Sequence, residues 1–174
     1  MNLNDNTPSI TSSATFSAAE NRTAIGTVTA TDEDGETISY SLSGTDASSM
    51  SINSSSGVLT FSSTPDYETK TSYSATVTAT DGTNSTTQNI TVNVTNVNDV
   101  APVFTSGATF SAAENQTAIG TITATDVDTD NSSITFTVSG SELSIGSSTG
   151  VIAFVSAPDY ETKTSYSATV TATD

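Results

Sequence analysis

The chain is predicted to be all-β, folded as two tandem Greek-key β-sandwiches of which the second lacks its last strand. Three observations carry this reading. Apolar residues recur at every second position, the sequence is duplicated, and no stretch of ten or more residues shows the 3.6-residue apolar period of an amphipathic helix.

The alternation is regular in both halves. Ile38, Tyr40 and Leu42, then Leu59 and Phe61, then Tyr73, Ala75, Val77 and Ala79 mark inward-facing strand positions. Ile134, Phe136 and Val138, then Ile152 and Phe154, then Tyr166, Ala168 and Val170 repeat the pattern. Ser and Thr occupy the alternate, water-facing positions. Only 33% of residues are hydrophobic and Trp is absent, so the cores must be narrow. A disordered Ser/Thr tract would have no reason to place Tyr, Val and Ile at alternate positions. Six to seven short strands per repeat, with turn signals about every ten residues, read as sandwiches.

The duplication sets the domain count. PDYETKTSYSATVTATD occupies residues 65–81 and recurs letter for letter at 158–174, an offset of 93; FSAAEN at 16–21 recurs at 110–115, an offset of 94. The differing offsets place length changes in loops, which tolerate them. NLNDNTP (2–8) and NVNDVAP (96–102) mark the start of each unit, giving repeat 1 over residues 1–97 and repeat 2 over 98–174. Repeat 1 runs on through GTNSTTQNITVNVT (82–95), where Ile90, Val92 and Val94 form a final strand, and repeat 2 reaches Asp174 without it. The expectation is that the segment ends inside a repeat and comes from a longer exported chain. Strand donation from a neighbouring chain is the alternative.

Composition excludes several function classes. Three basic residues against nineteen acidic ones give a formal charge of −16, which repels a phosphate backbone, so no nucleic acid partner is expected. No apolar run approaches the length of a membrane span. The absence of His and Cys removes the common general bases and thiol nucleophiles. The Asp66/Glu68 pair lacks the aromatic platform of a glycosidase site, and the chain is read as non-catalytic. Cysteine count is neutral as to compartment. Lys70 and Lys163 are read as solvated turn residues, and Tyr67 and Tyr160 as the more exposed tyrosines.

The carboxylates are concentrated rather than scattered. Fourteen of the nineteen acidic residues fall at corresponding loop or strand-end positions: Asp5, Glu20, Asp32, Asp34, Asp66, Glu68, Asp81, Asp99, Glu114, Asp126, Asp128, Asp159, Glu161 and Asp174. Such concentration destabilises a fold unless a cation offsets it, and three basic side chains cannot. Oxygen donors without His or Cys select a hard ion, and flexible carboxylates with carbonyls suit Ca²⁺ better than Mg²⁺ or Zn²⁺. The plainer reading takes each carboxylate as a turn former.

At these residues the chain resembles the cadherin family over essentially its whole length. AEN (19–21) resembles the family's PEN element, DED (32–34) and DVD (126–128) its DxD, and PDYE (65–68) its LDRE. NVNDV (96–100) resembles the DxNDN linker, and TATD ending at Asp81 and Asp174 the last acidic position before the final strand. The resemblance implies two tandem cadherin/immunoglobulin-like Greek-key sandwiches. It also implies a calcium site at their joint, drawn from Glu20, Asp66 and Glu68, linker residues Asn98 and Asp99, and Asp126, Asp128 and Asp174. Asn4, Asp5, Asp32, Asp34 and Asp81 at one end, and Glu114, Asp159 and Glu161 at the other, would be weaker half-sites. Asn96 and Val100 depart from the linker pattern, and the first departure removes a charge.

The function implied is a calcium-rigidified extender segment of an extracellular bacterial adhesin. Its partners would be neighbouring repeats of the same chain, with any cell-surface or glycan target engaged through other domains. A ligand-binding module, glycan-binding or cell–cell adhesive, is the alternative. No strand-swapping Trp is present for homophilic adhesion.

Overall fold

The computed structural model describes residues 5–128 and 133–174. The chain forms two compact units, Met1–Val97 and Asn98–Asp174.

The first unit contains β1 (Ser9–Ile10), β2 (Thr15–Ala19), β3 (Ala24–Thr27), β4 (Ala30–Thr31), β5 (Ser39–Ser43), β6 (Met50–Ile52), β7 (Val58–Phe61), β8 (Ser72–Thr80) and β9 (Ser85–Thr95). A four-stranded sheet has the order β2-β9-β8-β5 and a three-stranded sheet the order β3-β7-β6, while β1 pairs with β4. The chain passes repeatedly between the two larger sheets, which is the sandwich predicted from alternation. One turn of 3-10 helix lies at Ala47–Ser49.

Burial follows the period of two. Along β8, Ala75, Val77 and Ala79 are buried, and along β9, Ile90, Val92 and Val94. These residues, apart from Ala79, pack with Val28, Met50, Leu59 and Phe61 in one core. Tyr73 closes it edge-on against Phe61, with ring centroids 5.0 Å apart. Tyr67, expected to be exposed, is half-buried against the same core. Alternation is a strand signal, and Tyr67 lies in the turn before β8, where it does not apply.

Strand β9 ties the first unit together. It pairs antiparallel with β8 over nine residues, and its other edge runs parallel to β2, with Phe16 opposite Val92 and Ala18 opposite Val94. Gly57, at φ +70°, allows a close approach of two loops, because a Cβ there would lie 2.1 Å from the carbonyl oxygen of Val28. Gly150, at φ +67°, repeats this against Ile122.

The second unit contains β10 (Val103–Phe104), β11 (Ala118–Thr121), β12 (Ala124–Thr125), β13 (Thr135–Val138), β14 (Leu143–Ile145), β15 (Val151–Phe154) and β16 (Val170–Thr173). The sheet β11-β15-β14 reproduces β3-β7-β6. The other sheet is reduced to β13 and β16. The core is smaller, formed by Ile122, Ile134, Phe136 and Ile152 with partly buried neighbours such as Ile119 and Val170.

The two copies of one sequence therefore fold to different extents. SYSATVTAT forms all nine residues of β8 in the first unit, whereas its twin at 165–173 is a strand only from Val170. The FSAA stretch is part of β2 in the first unit but is not strand at 110–113. Both stretches pair with β9 in the first unit, and repeat 2 up to Asp174 has no counterpart of β9. Unpaired, they lose the ladder that defines a strand.

Candidate metal centre in the acidic loops

The acidic loops of the first unit lie at its two ends. Glu20 follows β2, and Asp66 and Glu68 precede β8, at the end where β9 finishes. Asp5, Asp32, Asp34 and Asp81 lie at the opposite end, since β8 runs antiparallel to β9.

At the first end Glu20 is the buried member, 2% exposed. Its Oε2 accepts the backbone N–H of Tyr67 at 2.7 Å and its Oε1 that of Val97 at 2.7 Å. The AEN motif explains the placement: Asn21 adopts a left-handed backbone, φ 59°, which Asn tolerates, and its N–H donates to the carbonyl of Pro65. Asp66 closes its own turn by accepting Thr69 N–H at 3.0 Å and the Thr69 hydroxyl at 2.9 Å. Glu20, Asp66 and Glu68 each bring a carboxylate oxygen within 4.8 Å of the others.

No lysine neutralises this group. Lys70 is engaged with Asp46 at 2.5 Å and lies 4.6 Å from the Tyr73 ring centroid. In the second unit Lys163 pairs with Glu142 at 2.7 Å and sits 4.4 Å from the centroid of Tyr166. The expectation that both lysines are merely solvated turn residues is thus corrected. Each clamps a loop carboxylate to an aromatic face. Lys70 with the N–H of Ser74 holds the Asp46 carboxyl below its ordinary range.

At the opposite end Asp34 fastens the entering chain. Its Oδ2 accepts the N–H groups of Asp5 and Asn6, and its Oδ1 the Asn6 amide at 2.8 Å. These donors, the Asn6 N–H foremost, keep the Asp34 carboxyl below its usual value. Asp32 Oδ1 accepts the N–H of Asp34, and Asp81 Oδ1 the N–H groups of Thr83 and Asn84. Asp5 thus contributes through its backbone, and Asn4 lies outside the described residues.

Glu36 joins this end and escaped the sequence reading. Asp32, Asp34 and Glu36 each offer an oxygen within 4.8 Å of the others. Desolvation first, and the charges of Asp34 and Asp32 after it, push the Glu36 carboxyl up. Asp32 Oδ2 and Glu36 Oε2 are out of contact with solvent and accept no hydrogen bond. The i, i+2, i+4 spacing within DEDGE was the available signal. Those two oxygens of Asp32 and Glu36, set close to the Asp34 carboxylate, fit a hard cation as ligands.

The second unit repeats both arrangements. Asp128 Oδ2 accepts the N–H groups of Asp99 and Val100, as Asp34 accepts those of Asp5 and Asn6, and Asp126 Oδ1 accepts Asp128 N–H at 2.8 Å. Asn98, Asp99 and Asp174 line one small cleft with Val100 and Ala101. Glu114, Asp159 and Glu161 cluster at the other end, all exposed. Asp159 caps its turn through Thr162 and Glu161, which lower its carboxyl. Glu114 accepts Tyr160 N–H at 3.1 Å, a longer bond than that of Glu20 to Tyr67.

Comparison with known proteins shows the family and the fold. The Cadherin domain family model matches residues 14–95 and 108–174. The chain belongs to the cadherin family. It is 34% identical over its whole length to part of the mouse Cadherin EGF LAG seven-pass G-type receptor 1, and 37% identical over 85% of its length to part of human Protocadherin Fat 4. It spans 6% and 3% of those two proteins. Mouse Cadherin-23 EC22-24 superimposes with a TM-score of 0.75 at 26% identity, covering all of this chain and 61% of that one. Human Protocadherin-24 EC1-2 gives a TM-score of 0.79 at 20% identity over 92% of this chain and 82% of that one, a likeness of fold. Cadherin domains are extracellular, non-catalytic adhesion modules that act in tandem and bind calcium. Among the described residues no helix is long and apolar enough to cross a membrane.

Proposed function

We propose that this pair of cadherin domains is a calcium-stiffened extender in an extracellular adhesin, with the adhesive contact made by other parts of the parent protein. The observation that carries the reading is the Glu20–Asp66–Glu68 group. It holds a buried carboxylate between two backbone N–H donors, beside two further carboxylates, with both lysines engaged elsewhere. A divalent oxygen-seeking cation suits such a set of carboxylate oxygens.

In this reading Glu20, Asp66 and Glu68 act with Asn98, Asp99, Asp126, Asp128 and Asp174 as calcium ligands shared between neighbouring domains. Asp32, Asp34, Glu36 and Asp81, with Asn4 and Asp5, serve a preceding domain, and Glu114, Asp159 and Glu161 a following one. Each unit has its own core, so calcium fixes the angle between units more than it holds either one folded. Letter-for-letter repetition of residues 65–81 at 158–174 supports a long tandem array as the parent protein, here read as a bacterial surface protein. The named relatives are animal proteins.

Small-angle scattering with calcium and with chelator tests the proposal. Calcium is expected to narrow the distribution of interdomain distances at unchanged secondary structure. Identical scattering in both conditions contradicts it.

A further inference from the structure

The sequence holds seven Asn-x-Ser/Thr sites, at Asn21, Asn53, Asn84, Asn89, Asn93, Asn115 and Asn131, none with Pro between. Asn131 lies outside the described residues. Among the others Asn53 stands apart in how its amide is used. It sits in the turn between β6 and β7, where residues 53–56 are all exposed. Its Oδ1 accepts the N–H of Ser55 at 3.0 Å, the Ser55 hydroxyl at 2.9 Å and the N–H of Ser56 at 2.9 Å. The third residue of the site thus turns both its donors toward the Asn side chain. That leaves the Nδ2 of Asn53 exposed and without a protein acceptor. The turn is closed mainly on itself, Asn53 N–H to the Val58 carbonyl and Gly57 N–H to the Asn53 carbonyl, with Tyr40 N–H reaching the Ser54 carbonyl. The remaining described sites are built into the fold. Asn84 spends its Nδ2 on the carbonyl of Asn6 at 2.9 Å. Asn89 and Asn93 lie within β9, in ladder register with Thr76 and Ser72 of β8. Asn21 and Asn115 donate their N–H groups to Pro65 and Pro158, while Thr23 and Thr117 accept those of Phe61 and Phe154.

We infer that Asn53 is an N-glycan acceptor, modified by an oligosaccharyl transferase that draws on a lipid-diphosphate-linked oligosaccharide. In that transfer the Asn53 Nδ2 forms a bond to the anomeric carbon of the sugar. The bond from that carbon to the diphosphate oxygen breaks, the lipid diphosphate leaves with the electron pair, and Nδ2 gives up one proton. Nothing is oxidised or reduced. Hydrogen bonds to Oδ1 draw electron density onto that oxygen, which makes an Nδ2 proton easier to lose as the new bond forms. The second unit has no counterpart, because Gly146 in SIGSSTG (144–150) stands where Asn53 stands in SINSSSG (51–57). The inference applies to any exporting cell that holds such an enzyme, and it does not rest on the calcium reading.

The test takes the folded 174-residue chain from a host without the enzyme and mixes it with a purified single-subunit oligosaccharyl transferase and its lipid-linked oligosaccharide. The enzyme is first shown to be active on a reference acceptor peptide, and site occupancy in the chain is then followed by mass spectrometry. Asn53 is expected to be glycosylated at least about tenfold faster than Asn84, Asn89 or Asn93, whose hydrogen bonds must first break. Ser55→Ala should abolish modification at Asn53. Ser56→Ala should leave it unchanged, since Ser56 serves the Asn53 amide through its backbone N–H. An unmodified Asn53 in the folded chain overturns the inference. So does a rate at Asn84, Asn89 or Asn93 equal to that at Asn53, or a Ser55→Ala chain modified at Asn53 as the parent chain is.

Discussion

The carboxylate of Glu20 accepts the backbone N–H of Val97 at 2.7 Å, joining the end of β2 to the residues that leave β9. The same side chain accepts Tyr67 N–H through its other oxygen, so one buried glutamate fastens three loops at one end of the first unit. Its twin Glu114 holds one such donor and is exposed.

Glu20→Ala and Glu114→Ala should therefore differ. Loss of Glu20 leaves buried N–H groups without their charged acceptor and is expected to destabilise the first unit by about 1.5–3 kcal/mol. Glu114→Ala is expected to lie within about 0.5 kcal/mol of the parent chain, as exposed substitutions do. Scanning calorimetry in chelator checks this difference.

Asp46 predicts an acid limb to stability. Its carboxyl is held below 3.8, first by Lys70 and then by the Ser74 N–H, so the folded state binds the proton less readily than the unfolded chain. The stabilisation is complete above the unfolded value and is lost as pH falls through the lower folded one. Melting temperature should drop as pH falls below about 4, and Asp46→Asn should flatten that drop. An NMR titration of the Asp46 carboxyl should place its midpoint below 3.8.

The glycines separate steric from conformational cost. Gly57→Ala would put a Cβ 2.1 Å from the Val28 carbonyl, and Gly150→Ala repeats this at Ile122. Each should cost at least about 3 kcal/mol, a left-handed backbone and a clash together. Gly82→Ala, at φ +97° with nothing within 4 Å, carries only the conformational cost, about 1–2 kcal/mol. Urea unfolding midpoints rank the three.

Much of the fold was legible because strand periodicity names the buried face directly. Ala75, Val77, Ile90 and Val92 alternate in the sequence and are buried in the core. Periodicity does not name neighbours, however, and the parallel pairing of β2 with β9 left no local mark. The length of β16 was hidden for the same reason: its letters equal those of β8, and only the absent partner distinguishes them. Among the acidic residues, concentration at loops was visible, but which oxygens are already satisfied by N–H groups required coordinates. Glu36 was passed over although its spacing from Asp32 and Asp34 was in view. The Lys70–Tyr73 and Lys163–Tyr166 contacts joined residues three apart, a spacing that carries no signal outside a helix.

The most direct test is a calorimetric titration of the chain with calcium, repeated with the Glu20→Gln, Asp66→Asn, Glu68→Gln triple variant. Saturable binding in the range of about 0.1–1 mM, weakened at least about tenfold in the variant and not reproduced by magnesium, is the predicted result. Heats no larger than dilution, or an unchanged isotherm in the variant, would contradict the account.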